Sequence, residues 1–204
     1  IQISITADSD TQTKCDVPAG CGTRTDGLSD TDSSINFGEW YKPAALSMIA
    51  LVPDAEANET LSVSVTPFTH MAAARAKESG TLDAAAISNA NSEVSNLLGG
   101  IDILNTLPVD ITDSTAVNGA QNKTQVTYAA LASALSNQGL VDANGQPDLN
   151  AAIELLASSF ASGVIEADDS DGDDAAQISL QEIIDAADAT FTEAGVTDVT
   201  GVLS

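Results

Sequence analysis

The stretch LSVSVTPFTHMAAARAKESG, residues 61–80, decides the fold class that this sequence predicts. Its first part alternates Leu61, Val63 and Val65 with small polar residues, a period of two that is typical of a half-buried β-strand. Pro67 interrupts the pattern, because proline lacks an amide hydrogen and favours extended geometry in the residue before it. An alanine-rich segment then ends on a glycine, as helices do. The stretch therefore predicts a β part before residue 67 and an α part after it.

The β part consists of four segments with the composition of short strands: residues 1–7, 35–41, 46–52 and 60–66. The second of these segments could equally form a turn. In the first segment Ile1, Ile3 and Ile5 lie on one face. We therefore expect a small antiparallel β region over residues 1–66. It would be an incomplete immunoglobulin-like sandwich, since a complete one needs about seven strands.

The α part consists of five segments with helical apolar spacing: residues 68–78, 83–98, 122–137, 149–161 and 179–194. Asp148 is expected to cap the fourth helix, and a capping box starts at Ser179 before the fifth. Leu131 and Leu155 are expected core residues of the third and fourth helices. The predicted fold is thus α+β, with the β region followed by a bundle of about five helices over residues 67–204.

The net charge of −24, from 30 acidic and 6 basic residues, limits the classes of partner. Nucleic acids and anionic membrane surfaces are excluded, because both need clustered Lys and Arg. No apolar run approaches the ~18 residues that indicate a membrane span, so no membrane insertion is predicted. The charge repels itself, and salt relieves that cost by shortening the Debye length to about 3 Å at 1 M. A saline habitat would suit such a surface, although a well-solvated acidic exterior explains it equally.

The two cysteines, Cys15 and Cys21, stand in the segment CDVPAGC. A proline and a glycine between them allow the chain to turn back, and CxxC metal-site spacing is absent. A disulfide is expected, with two reduced thiols as the alternative. A disulfide implies an oxidising compartment, of which the extracellular space and the outer cell surface are examples.

The acidic segment EADDSDGDDA, residues 166–175, carries four candidate calcium ligands: Asp168, Asp169, Asp171 and Asp173. A standard EF-hand register fails, because it would place Ala167 and Ile178 at loop positions one and twelve. An irregular Ca²⁺ site and a solvated acidic turn both remain open, and no other cofactor is expected. The only histidine, His70, has no GxSxG elbow to act with, so a structural role is expected and catalysis is not.

Several motifs resemble one type of bacterial surface protein. The segments are CDVPAGCG (15–22), VSVTPFTHMA (63–72), ANSEVSNLLG (90–99) and PVDITD (108–113). They resemble a type of cell-surface protein or lipoprotein of Gram-negative, often marine, bacteria. In that type a carboxypeptidase-regulatory-like β-sandwich precedes a helical region. The resemblance covers residues 1–137 and implies a surface location without an assigned activity. Strands that precede the equivalent of residues 1–7 in the family are absent here.

These observations predict a structural protein that assembles with copies of itself by adding a β-strand across the subunit boundary, as a homo-oligomer or filament. The strand would come from residues 1–7 or 196–203, with the following assembly residues: Ile1, Ile3, Ile5, Val196 and Val199. Alternatively, the chain is a monomer or the fragment of a longer polypeptide, since Ile1 marks either a processing site or a fragment edge. A further alternative is an adhesin-like module that binds glycans or is stabilised by calcium. Trp40 and Tyr41 are then a candidate sugar platform, although their expected role is to anchor the core.

Overall fold

A computed structural model of the chain describes residues 1–24, 33–43, 45–54, 60–119, 123–143, 145–160, 165 and 178–196. These residues form four strands, β1 (Gln2–Thr6), β2 (Thr13–Lys14), β3 (Trp40–Tyr41) and β4 (Ser47–Leu51). They also form six helices, α1 (Pro67–Glu78), α2 (Ala84–Leu97), α3 (Ser114–Gly119), α4 (Lys123–Ala134), α5 (Leu149–Ser159) and α6 (Leu180–Glu193). The strands pair antiparallel in two small sheets, which confirms the predicted α+β class.

The chain divides into two compact units, each assembled from three segments. The first unit comprises residues 1–6, 47–107 and 153–180, and the second comprises residues 7–46, 108–152 and 181–204. The first unit contains β1, β4, α1 and α2, whereas the second contains β2, β3, α3 and α4. Each unit thus combines one two-stranded sheet with helices.

In the first unit, β1 and β4 form an antiparallel pair in which Gln2 lies opposite Leu51 and Thr6 lies opposite Ser47. One face of β4 packs on α1 and α2 through a cluster of small and medium apolar side chains: Ile49, Leu51, Ala73, Ala76, Ile87 and Ala90. The alanines leave room for the helices and the strand to approach closely. The helix layer therefore lies over β4, while β1 is the exposed strand of the pair.

The junction at Thr66 begins α1 as the sequence predicts. The Thr66 hydroxyl accepts a hydrogen bond from the Thr69 amide, the Thr69 hydroxyl accepts one from the Thr66 amide, and Pro67 opens the helix. Such a reciprocal cap satisfies amides that the first turn of a helix leaves without partners.

The strand predicted at residues 60–66 is wrong, since this segment is irregular. Its burial is also the reverse of the prediction, because Ser64 is buried and Leu61 is exposed. The Ser64 amide donates to the Leu104 carbonyl at 2.8 Å and its hydroxyl donates to the Thr106 carbonyl at 2.7 Å. These tertiary hydrogen bonds outweigh the alternating pattern, because each satisfies a buried polar group.

The five predicted helices are confirmed within a few residues at each end. The Asp148 carboxylate accepts from the Ala151 amide at 2.9 Å, which confirms the cap of α5. Leu131 is buried as predicted, but Leu155 is only half-buried, and Leu156 is the buried leucine of α5. The unpredicted helix α3 begins after Asp113, whose carboxylate accepts from the amide of Thr115.

Candidate functional site

The disulfide loop lies in the second unit and has its own small core. Cys15 and Cys21 are bonded, as the sequence predicts, with their Cα atoms 5.8 Å apart. Both cysteines are fully buried in a cluster with Val17, Ile35 and Tyr41. Gly20 adopts a φ of 90°, and a Cβ there would lie 2.8 Å from the Ile35 carbonyl oxygen. The closed loop and this close approach together hold the segment in one conformation.

The antiparallel β2–β3 pair places Trp40 outward and Tyr41 inward, because successive residues of a strand face opposite sides. Tyr41 belongs to the disulfide cluster, whereas Trp40 keeps 53% of its surface exposed. The predicted core role is therefore right for Tyr41 and wrong for Trp40. Lys14 is the cross-strand neighbour of Trp40, and its Nζ lies 5.6 Å from the indole centroid.

Charged groups surround the exposed indole. The Lys14 ammonium donates to the Asp110 carboxylate at 2.6 Å, and the Arg24 guanidinium donates to the Trp40 carbonyl at 3.0 Å. Burial raises the pKa of Asp110, but hydrogen bonds from Lys14 and Thr112 outweigh that effect and hold the pKa below its usual value. The Lys14 ammonium thus lies over the indole ring and is also paired with the Asp110 carboxylate.

Asp16 stands inside the disulfide loop and is the most strongly perturbed carboxyl group described. Burial raises its pKa to about 7, against a smaller opposing effect of a hydrogen bond with the Ser136 side chain. Burial also raises the pKa of Tyr41, and the nearby Asp16 and Asp142 add to that shift. Asp16 therefore takes up and releases its proton near neutral pH.

The outer edge of β1 is the second notable feature, and it lies in the first unit. The Ile1 amino group donates to the Val52 carbonyl at 2.7 Å, and the Val52 amide donates back to Ile1 at 2.8 Å. Since antiparallel strands alternate between bonded and non-bonded pairs, Ile3 and Ile5 also direct their backbone groups towards β4. The amides and carbonyls of Gln2, Ser4 and Thr6 consequently point away from β4.

No described residue bonds the backbone groups on that outer edge, and the side chains of Gln2, Ser4 and Thr6 are exposed. The only contact among these side chains is a hydrogen bond from the Gln2 amide to the Ser4 hydroxyl at 3.2 Å. Ile1 and Ile5 are 58% and 39% exposed on the opposite face, and Ile3 is half-buried. We call the outward backbone groups of Gln2, Ser4 and Thr6 the outer edge. β1 thus combines an outer edge of backbone groups that no described residue bonds with apolar side chains that are partly exposed.

Of the remaining predicted site residues, the structure describes Val196. Val196 is half-buried, and its amide donates to the Phe191 carbonyl to close α6. Val199 lies outside the described residues. So do the four candidate calcium ligands: Asp168, Asp169, Asp171 and Asp173. Among the residues that are described, no three His, Cys, Asp or Glu side chains gather closely enough to hold a metal ion.

His70 is buried in α1, and burial lowers its pKa. Its Nε2 lies 3.8 Å from the Glu154 carboxylate, and its Nδ1 has no hydrogen-bond partner among the described residues. A cleft of about 340 Å³ runs along α2 and is lined mainly by serine and asparagine, without His70. Asp102 in that cleft already accepts bonds from Leu104 and Asn105, so it caps a turn.

Sequence reasoning identified β1 but missed which of its groups are free. The alternation of the sequence shows that the odd and even residues of β1 face opposite sides. Which of the two sets directs its backbone groups towards β4 depends on how β1 pairs with β4, and the sequence does not show that pairing. Sequence reasoning also missed Asp16, since nothing in the sequence predicts that Ser136 and Tyr41 pack around the loop.

Comparisons with known proteins give no further assignment. No family model, no curated protein and no solved structure matches this chain. No helix in the described part of the chain combines the length and the hydropathy that crossing a membrane requires.

Proposed function

We propose that this chain is an extracellular structural protein that assembles with copies of itself by β-strand addition at the outer edge of β1. The observation that carries the proposal is the set of backbone groups at the exposed residues Gln2, Ser4 and Thr6 with which no described residue pairs. An exposed strand edge is a template for pairing with another chain. Proteins that stay monomeric usually protect such edges with charged residues, proline or a covering segment. β1 contains neither proline nor a charged residue.

The disulfide supports an extracellular location. Disulfides persist in oxidising compartments and are rare in the cytosol. The Cys15–Cys21 bond is buried in the disulfide cluster, so it belongs to the folded core of its unit. A structural role outside the cell also suits a chain of net charge −24, because that charge keeps the subunits soluble before assembly.

The test compares Ser4→Pro with Ser4→Ala. The Ser4 amide points away from β4, so proline removes a donor from the outer edge while every bond to β4 is retained. We expect Ser4→Ala to associate like the native chain and Ser4→Pro to lose association at least tenfold. Light scattering after size exclusion measures the mass. Circular dichroism and the intact disulfide confirm that both variants are folded.

Two outcomes would contradict the proposal. The first is a native chain that stays at 20.7 kDa at millimolar concentration and high salt. The second is a Ser4→Pro variant that associates as strongly as the native chain, which would locate the contact elsewhere.

A second candidate function, glycan binding, is favoured by the exposed Trp40. The Trp40 indole is an exposed aromatic surface, and the Lys14 ammonium over its ring and the Asp110 carboxylate paired with that ammonium supply a hydrogen-bond donor and an acceptor. We expect Trp40→Ala to abolish any glycan-array binding and Trp40→Phe to retain part of it, since phenylalanine keeps an aromatic face. An array without any hit, or a hit that survives Trp40→Ala, would reject this candidate.

A further inference from the structure

The geometry points to a specific partner for the outer edge: the β1 strand of a second copy, paired antiparallel about a two-fold axis that passes beside Ser4. This inference rests on the proposed self-association and adds to it the identity of the donated strand, its direction and its register. The resulting sheet would run β4–β1–β1–β4 across the two copies.

The register follows from the positions of the free backbone groups. Across an antiparallel edge, the residues whose groups point outward must lie opposite one another to exchange hydrogen bonds. β1 offers three such residues, at positions 2, 4 and 6, which are symmetric about Ser4. With Ser4 opposite Ser4 of the second copy, Gln2 lies opposite Thr6, and all three residues of each copy bond. A shift by two residues in either direction leaves two outward residues without partners.

The same register also matches the apolar side chains. Ile3 then lies opposite Ile5 of the second copy in a non-bonded pair, the type in which side chains approach most closely. A two-fold axis perpendicular to the sheet keeps each face on its own side. The isoleucines of both copies therefore form one continuous apolar stripe. β-branched cross-strand pairs of this kind stabilise sheets.

Side chains of β1 are exposed on both faces of the strand. Gln2, Ser4 and Thr6 are exposed on the face that β1 shares with the α1–α2 side of β4. The helix layer therefore does not extend over β1. On the other face, Ile1 and Ile5 are exposed and Ile3 is half-buried, so this face of β1 is covered only in part.

The edge is free of the charged side chains that would repel a second copy. The chain carries −24, so most contacts between two copies bring carboxylates together. The ten residues of β1 and β4 include no charged side chain. An edge of five residues also buries less than the ~800 Å² per partner of a standard interface. The pair is consequently weak and concentration-dependent.

The symmetry has a consequence for assembly. A two-fold contact uses the same surface on both copies and closes, so this edge yields a pair and not a head-to-tail chain. A filament built from this protein then grows through a second contact between such pairs.

Single cysteines at positions 2, 4 and 6 test the register. In a bonded antiparallel pair the Cα atoms are about 5.5 Å apart, which a disulfide can span. We expect Ser4→Cys alone to form a covalent dimer under mild oxidation. Gln2→Cys alone and Thr6→Cys alone should not form a dimer. In either variant, the cysteines of the two copies would lie four residues apart along the strands. Mixed together, those two variants should cross-link to each other. Ser88→Cys, exposed on α2, reports random collision, and mass mapping confirms that Cys15–Cys21 is intact.

Nitroxide labels on the same cysteines measure the distances without requiring a covalent bond, in case oxidation perturbs the fold. Cross-linking of all variants at the Ser88→Cys rate would overturn the two-fold register. Association by light scattering without cross-linking at Ser4→Cys would overturn the register but leave self-assembly in place. A chain that stays monomeric under every condition would overturn both.

Discussion

At the scale of single residues, Asp16 is the described carboxyl group whose pKa departs most from its ordinary value. Its carboxyl group lies beside Ser136 and Tyr41, and burial favours the neutral form. With a native pKa of about 7, the folded state holds a proton between about pH 4 and 7 that the unfolded state releases. The free energy of unfolding contributed by Asp16 therefore falls as the pH rises through this range.

We predict that Asp16→Asn is more stable than the native chain at pH 8, by about 1–3 kcal/mol, because a buried charge is no longer formed. At pH 5 the two proteins should differ much less. Urea denaturation at both values measures the difference, and Asp188→Asn, on the exposed side of α6, should keep the native pH dependence. If Asp16→Asn lost as much stability between pH 5 and pH 8 as the native chain, Asp16 would not be the group that causes the pH dependence.

At the scale of secondary-structure elements, helices were more predictable from the sequence than strands. The helices are long enough for apolar spacing to accumulate, and residues such as Asp148 mark where they begin. The short helix α3 was missed because six residues carry no periodic signal. The segment around Ser64 was misassigned because its polar side chain serves tertiary hydrogen bonds, which alternation cannot reveal.

The candidate site was predictable only in part, because the sequence reveals local patterns but not tertiary contacts. The disulfide depends on local spacing, so it was predicted, and β1 depends on local alternation. The free edge depends on the pairing of β1 with a strand more than forty residues away. Trp40 is exposed because its neighbour Tyr41 is the residue of β3 that packs into the cluster around the disulfide.

The two adjacent leucines of α5 provide a matched test of helix packing. Leu156 is fully buried and Leu155 is half-buried. We predict that Leu156→Ala lowers the free energy of unfolding by about 2–5 kcal/mol, through lost burial and the cavity left behind. Leu155→Ala should cost clearly less in the same urea series. Equal costs for the two substitutions would show that the helix is rotated relative to this description.

At the scale of the whole molecule, the net charge of −24 opposes every contact between copies. We predict that association strengthens at least several-fold between 0.1 M and 1 M sodium chloride, because screening shortens the range of repulsion from about 10 Å to about 3 Å. Sedimentation equilibrium measures the change, and Ser4→Pro should show no comparable gain. Association that weakens with salt would indicate that attraction between charges, and not the uncharged strand edge, holds the copies together.

The most direct measurement of the central claim is amide hydrogen exchange in β1 at low and high protein concentration. The amides of Ile3 and Ile5 face β4, so they should be protected at both concentrations and serve as internal controls. The amides of Gln2, Ser4 and Thr6 should exchange freely when the protein is dilute and become protected when it is concentrated. Protection that develops elsewhere while these three amides continue to exchange would contradict assembly through the outer edge.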